Sequence, residues 1–292
     1  MMNLPAQPWI RLLRFDRPIG TLLLLWPTLW SVWFAAEGLP DTRVVVIFCL
    51  GVVVMRAAGC VINDYADREI DGHVLRTKSR PLVTGEITPQ AALKVFAGLL
   101  IVAFLLVLQT NTLTVILSFI GALLVTLYPF VKRWTYLPQI VLGLTWGWVV
   151  PMSFAANRGL VPLEAWALYV AVVLWTVAFD TFYAMVDRED DERAGIKSIA
   201  VLWGDKVVRY IGLLQMSTML LLVISGVLFS RTSVFFLGLG VAASLFILQI
   251  LRARKRQRDA YFKAFLDNHW VGMVIFVFLA WDFWLYPAVS PS

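Results

Sequence analysis

The sequence predicts an all-α, polytopic membrane protein with about nine transmembrane helices, its N-terminus cytoplasmic and its C-terminus outside. Three observations carry that prediction. Of the 292 residues, 60% are hydrophobic and only 15% are charged, where soluble domains average roughly 45–50% and 25%. The apolar residues form long runs without period-two alternation, which argues against an outer-membrane barrel and against disorder. Basic residues crowd into alternate connections. The whole chain, 1–292, reads as one membrane-embedded domain.

Nine apolar segments fall at 19–36, 42–62, 91–108, 112–131, 137–156, 163–184, 208–229, 232–251 and 269–286. Each approaches the ~20 residues that cross a bilayer, and in lipid a helix satisfies its own backbone polar groups. Ahead of them, Pro5, Pro8, Trp9, Arg11 and Arg14 lie in a stretch without a signal-peptide pattern. Trp134 with Tyr136, and Trp281 and Trp284 with Tyr286, sit at segment ends, as interfacial anchors do.

With the N-terminus inside, the inside set begins with Arg11, Arg14 and Arg17, and continues with Arg68, Arg76, Lys78 and Arg80 after the second segment. Lys132 and Arg133 follow the fourth segment; Arg188, Arg193, Lys197, Lys206 and Arg209 follow the sixth. Arg252, Arg254, Lys255, Arg256, Arg258 and Lys263 follow the eighth. Only Arg43, Arg158 and Arg231 fall outside. This asymmetry sets the orientation. It also accounts for the net charge of +6 without nucleic acid. Cys49 and Cys60 share one apolar stretch, which disfavours a disulfide frame or a zinc site.

Two inside connections, 63–90 and 187–207, are long and mix acid with base. In the first, Asn63, Asp67 and Asp71 recur every four residues and would stack on one helix face. In the second, Asp180, Tyr183, Asp187 and Asp191 return to nearly one face, while Glu189 and Asp190 point elsewhere. Stacked carboxylates at a membrane edge are costly and call for cations. Hard oxygen donors favour Mg²⁺ or Ca²⁺, and Mg²⁺ binds through one or two carboxylates plus substrate phosphates. The plainer alternative is two solvated acidic helix ends balanced by nearby arginines.

Lys78, Arg80, Lys132, Arg133, Arg188 and Lys197 flank both clusters and could neutralise a polyanion. Each also has a plainer reading as a positive-inside residue; Lys132, at a helix end after Tyr128, is the best single candidate. Arg56 lies two turns before Asn63 in an apolar helix, where it either meets a substrate or pairs with a carboxylate. His73 reads as a loop residue and His269 as an interfacial one.

These residues resemble the UbiA family of intramembrane aromatic prenyltransferases. The family's Asn-Asp-x-x-Asp-x-x-x-Asp pattern is met by Asn63, Asp64, Asp67 and Asp71, and its second pattern by Asp187 and Asp191. Arg17-Pro18-Ile19-Gly20, the run from Arg56 to His73, Arg80-Pro81, Tyr183 to Asp187 and Gly195 to Ser198 resemble its bacterial 4-hydroxybenzoate branch. The resemblance implies a multi-pass enzyme of the bacterial inner membrane, with its site on the cytoplasmic side, acting in ubiquinone biosynthesis. It implies polyprenyl diphosphate and 4-hydroxybenzoate as substrates. Mg²⁺ would be held by Asn63, Asp67, Asp71, Asp187 and Asp191, the aspartates forming the catalytic set. Lys132, Arg133, Lys78, Arg80 and Lys197 would meet the diphosphate. Asp180 would orient the phenol or take a proton, Tyr183 would line the aromatic pocket, and Arg56 or Arg17 would hold the acceptor's carboxylate.

Two other readings stand beside this one. A different aromatic acceptor would leave the same acidic motifs. A transporter or lipid carrier would show internal repeats and broken helices; no convincing repeat is present, and the acids cluster at one membrane edge.

Overall fold

The computed structural model describes residues 7–73, 76–131, 133–195 and 197–286, with backbone only at His73 and Ala194. A short helix α1 (Pro8–Leu12) precedes α2 (Ile19–Ala36), α3 (Thr42–Asp67), α4 (Pro89–Val107) and α5 (Thr112–Val131). Then come α6 (Pro138–Gly147), α7 (Val149–Arg158), α8 (Ala165–Ala194), α9 (Ile199–Trp203), α10 (Val207–Leu228), α11 (Ser233–Ala253) and α12 (Arg258–Leu285). Among the described residues, nine spans are long and apolar enough to cross a membrane, with α6–α7 and α9–α10 each counted as one.

Local chemistry starts and stops these helices. The Asp41 carboxylate caps α3 by accepting from the Arg43 amide at 2.7 Å, and the Thr88 hydroxyl caps α4 from the Ala91 amide at 3.2 Å. Gly195, at φ +68°, ends α8 in the left-handed region that glycine enters freely.

The spans close a circuit. Each packs on the next, and α12 returns to pack on α2. The main core lies among α2, α7, α8 and α10 to α12. There Trp30 and Trp175 meet at 4.9 Å; their indoles donate to the Gly272 carbonyl and to Asn268 Oδ1, each at 3.0 Å. The other side is thin: only 17% of the α4 and α5 spans is buried, against 61% for α8.

Four details differ from the expected segments. The fifth is broken at Trp148, because Pro151 lacks an N–H and its ring crowds the carbonyl of Gly147, where α6 ends. Such a break fits a transporter as well as an enzyme, so it does not discriminate between them. The acidic run 187–192 is helical, inside the 30-residue α8. The last helix begins at Arg258 rather than near 269, since hydropathy marks the part in lipid and its first turns are polar. Finally, α3 stops at Asp67, and Asp71 lies in a separate 3₁₀ turn, Asp71–His73. The three-step acidic stack on one helix is therefore interrupted, and Asp71 reaches the site from a loop.

Candidate active site

The ends of α3 and α8 bring the two acidic clusters to one cavity of about 380 Å³. Asn63, Asp67, Asp71, Asp180, Asp187 and Asp191 all line it. Four of these carboxylates are deeply set, with exposures of 3% for Asp67, 5% for Asp71, 8% for Asp187 and 9% for Asp191. Glu189 and Asp190 turn away, as their helical positions require, and pair with Arg258 at 2.9 and 3.5 Å.

Guanidinium groups stand among the acids. Arg76 donates through Nε and Nη2 to Asp187 at 2.9 and 2.5 Å, and through Nη1 to the Tyr183 hydroxyl at 2.5 Å. Arg80 Nη1 donates to Asp71 at 2.5 Å and sits 3.0 Å from Asp64. Burial by itself would lower both arginines. For Arg76, Tyr183, Asp187 and Asp71 outweigh it; for Arg80, Asp64 and Asp71 do, so both end above the ordinary arginine value. The Thr77 hydroxyl donates to the Asp71 carbonyl at 2.8 Å and steadies the turn.

Below this polar cavity lies an apolar one of about 410 Å³, walled by α2 to α7 where α4 and α5 are thin. Arg56, Tyr128 and Trp146 line both cavities and mark their junction. The Arg56 guanidinium lies 5.8 Å from the Trp146 ring centroid, and its buried Nε has no hydrogen-bond partner among the described residues. Asp180 sits two turns deeper than Asp187 on α8, within electrostatic reach of Arg56 and Arg76.

The expected basic residues divide. Arg80 and Lys197 line the polar cavity, with Lys197 Nζ 5.6 Å from the Tyr136 ring; Arg17 lines its mouth and is exposed. Arg133 does not line it: its guanidinium donates to the Ala66 carbonyl at 2.8 Å and lies over Phe130. Lys78 is exposed and does not line it either. Arg188 is engaged with Glu192 at 2.8 Å. Lys132 lies outside the described residues. Tyr183 lines the cavity and packs on Phe265 at 4.7 Å.

Sequence reasoning missed Arg14, Arg76, Tyr128, Gln139 and Trp146 as lining residues. Arg76 carried a signal, since it opens the basic run that ends at Arg80-Pro81. Gln139 carried none: its carboxamide accepts from the Ile199 amide at 3.2 Å and ties α6 to α9 beside Lys197.

The donor set suits a hard divalent cation, being oxygen throughout. Among the described residues, no three His, Cys, Asp or Glu side chains converge as a ready cage. Mg²⁺ commonly binds through one or two carboxylates, with substrate phosphates and waters completing its shell. Arg76 and Arg80 already supply positive charge beside the same carboxylates.

A charged cavity that shares Arg56, Tyr128 and Trp146 with an apolar one suits a molecule with an anionic head and a lipid tail. The chain belongs to the UbiA prenyltransferase family, which its residues 24–279 match, and its reaction is prenyl transfer. It is 56% identical to a 4-hydroxybenzoate octaprenyltransferase of Saccharophagus degradans over 92% of this chain and 90% of that one. A 4-hydroxybenzoate octaprenyltransferase of Chromohalobacter salexigens is 54% identical over 94% and 93%. In fold, the chain is similar to an apo UbiA homologue from Aeropyrum pernix, with a TM-score of 0.79, 24% identity and 90% and 98% coverage. A UbiA homologue from Archaeoglobus fulgidus bound to GPP and Mg²⁺ gives 0.73, with 22% identity over 94% and 98%.

Proposed function

We propose that this protein transfers a polyprenyl group from polyprenyl diphosphate to the ring of 4-hydroxybenzoate, ortho to the hydroxyl, as a step of ubiquinone biosynthesis. The carrying observation is the junction at Arg56, Tyr128 and Trp146, where a charged cavity meets an apolar one. The names of the relatives that are more than half identical support the acceptor. Asn63, Asp67, Asp71, Asp187 and Asp191 would hold Mg²⁺. Bound there with the diphosphate, the ion would supply Lewis-acid neutralisation of the leaving group.

The chain's own residues do the rest. Arg76, Arg80 and Lys197 bind the diphosphate and offset the charge that develops as the allylic C–O bond breaks onto oxygen. The apolar cavity takes the proximal part of the prenyl chain and keeps water from the allylic cation. Arg56 orients the acceptor through its carboxylate, which a guanidinium can grip with two hydrogen bonds. Tyr183 lines the aromatic site. The ring carbon then forms the new C–C bond, and Asp180 is placed to take the displaced ring proton. The basic connections support a site on the cytoplasmic side of a bacterial inner membrane.

The test is product formation in membranes carrying the protein, across a panel of hydroxylated aromatic acids with a polyprenyl diphosphate and Mg²⁺. Prenylated 4-hydroxybenzoate that disappears with a chelator is the expected result. Turnover of another acceptor alone, or full activity in the chelator, would overturn the reading. Tags in the turn between α11 and α12, residues 254–257, should be labelled only from the cytoplasm; the reverse pattern would overturn the orientation.

A further inference from the structure

Asp64 lies inside the first acidic motif, yet its carboxylate is committed elsewhere. It is 1% exposed. Arg14 Nη2 donates to its two oxygens at 2.7 and 2.9 Å, and Arg80 Nη1 lies 3.0 Å from Oδ1. These guanidiniums come from two different segments. Arg14 follows α1, whose Arg11 also lines the cavity, and Arg80 comes from the loop between α3 and α4. Both line the polar cavity.

Further contacts dock this assembly. Leu12 is fully buried against Ala58, Val61 and Leu82, and Arg11 donates to the Ser79 carbonyl at 3.3 Å and pairs with Glu86. Arg14 holds a left-handed backbone, φ +59°, a strained conformation for a residue with a Cβ. Its Nη1 also donates to the Arg11 carbonyl at 2.5 Å. A strained arginine gripped by a buried carboxylate has a fixed aim. The same Arg80 Nη1 lies 2.5 Å from Asp71 Oδ2 and so links Asp64 to Asp71.

We propose that Asp64 is a positioning residue that clamps Arg14 and Arg80 at the cavity mouth, so that both guanidiniums face the diphosphate. It acts through the two arginines and does not ligate the metal. This rests on the prenyl diphosphate reading above and adds Arg14 to the groups that meet that substrate.

The experiment compares the full-length protein with Asp64→Asn, Arg14→Gln and the double variant. Binding of inorganic diphosphate in the presence of Mg²⁺ is measured by calorimetry on solubilised protein, a readout that needs no acceptor. Asp64→Asn and Arg14→Gln should each weaken diphosphate binding roughly tenfold, the scale of a charge-assisted hydrogen bond. The double variant should be little worse than the poorer single one, because the two residues act as a unit. In turnover assays the prenyl diphosphate KM should rise, while the Mg²⁺ concentration for half activity stays within about twofold, as a non-ligand requires. Should Asp64→Asn not fold, Arg14→Gln and Asp64→Glu carry the same test. Additive losses, unchanged diphosphate binding, or a Mg²⁺ requirement that rises well beyond twofold would overturn the proposal. Failure of the parent protein to prenylate 4-hydroxybenzoate, with its diphosphate binding intact, would instead refute the acceptor.

Discussion

Gly20 tests whether Arg56 holds the acceptor. A Cβ placed on Gly20 would lie 2.4 Å from Arg56 Nε and Nη2 and 2.7 Å from Cζ. Ordinary contact begins near 3.4 Å, so in Gly20→Ala the guanidinium must retreat by about 1 Å, a misplacement that can cost up to about 10²-fold. The atoms that yield are the end of a long side chain rather than backbone, so the helix packing survives. If Arg56 grips a carboxylate, the loss is that of a charge-assisted hydrogen bond, about 1.5–3 kcal/mol, or roughly 10- to 150-fold. Initial rates in native membranes, with each substrate varied in turn, should show the KM for 4-hydroxybenzoate rising on that scale. The KM for prenyl diphosphate should hold within about twofold, as expected where binding of one substrate alone is lost. Methyl 4-hydroxybenzoate lacks the charged partner and should be used equally by the parent and Gly20→Ala. An equal loss with both acceptors, or an unchanged KM for the acid, would refute the role given to Arg56.

Three further outcomes are expected. Asp67→Asn and Asp187→Asn should each nearly abolish turnover while the protein still inserts; membrane fractionation beside the prenylation assay checks both, and full activity in either variant would remove the metal assignment. Asp282, fully buried, accepts from Arg231 at 3.1 Å, from the Thr232 hydroxyl and amide at 2.6 and 2.9 Å, and from the Phe235 amide at 3.0 Å. Asp282→Ala should therefore cost about 3–5 kcal/mol, the range for breaking a buried ion pair, seen as a fall in Tm in detergent with both KM values of the surviving protein unchanged. Lys197→Ala should raise the prenyl diphosphate KM several-fold, whereas Arg133→Ala should leave it unchanged; equal effects would contradict the placement of their side chains.

Much of the fold was legible because lipid leaves little choice. A backbone in hydrocarbon must bond to itself, so each apolar run became a helix, and even the break at Trp148 has a local cause in Pro151. The outward turn of Glu189 and Asp190 was equally legible, because α8 keeps its period through the acidic run. The end of α3 was not. An i, i+4, i+8 pattern suits a continuous helix, but Asp71 is held on a 3₁₀ turn by Thr77 and Arg80, partners whose reach depends on how the loop returns.

The basic residues mark the boundary most clearly. Their crowding into alternate connections is written in the sequence, since a charge resists burial in hydrocarbon whatever its neighbours. Which of them face the substrate is not. Arg133 lies close to the site in sequence pattern but spends its guanidinium on the Ala66 carbonyl, whereas Arg14 meets Asp64 from fifty residues away. Hydropathy and charge sum along the chain and can be read there. The aim of a guanidinium depends on which carboxylate or carbonyl lies within about 3 Å, and only the packed helices bring those partners that close.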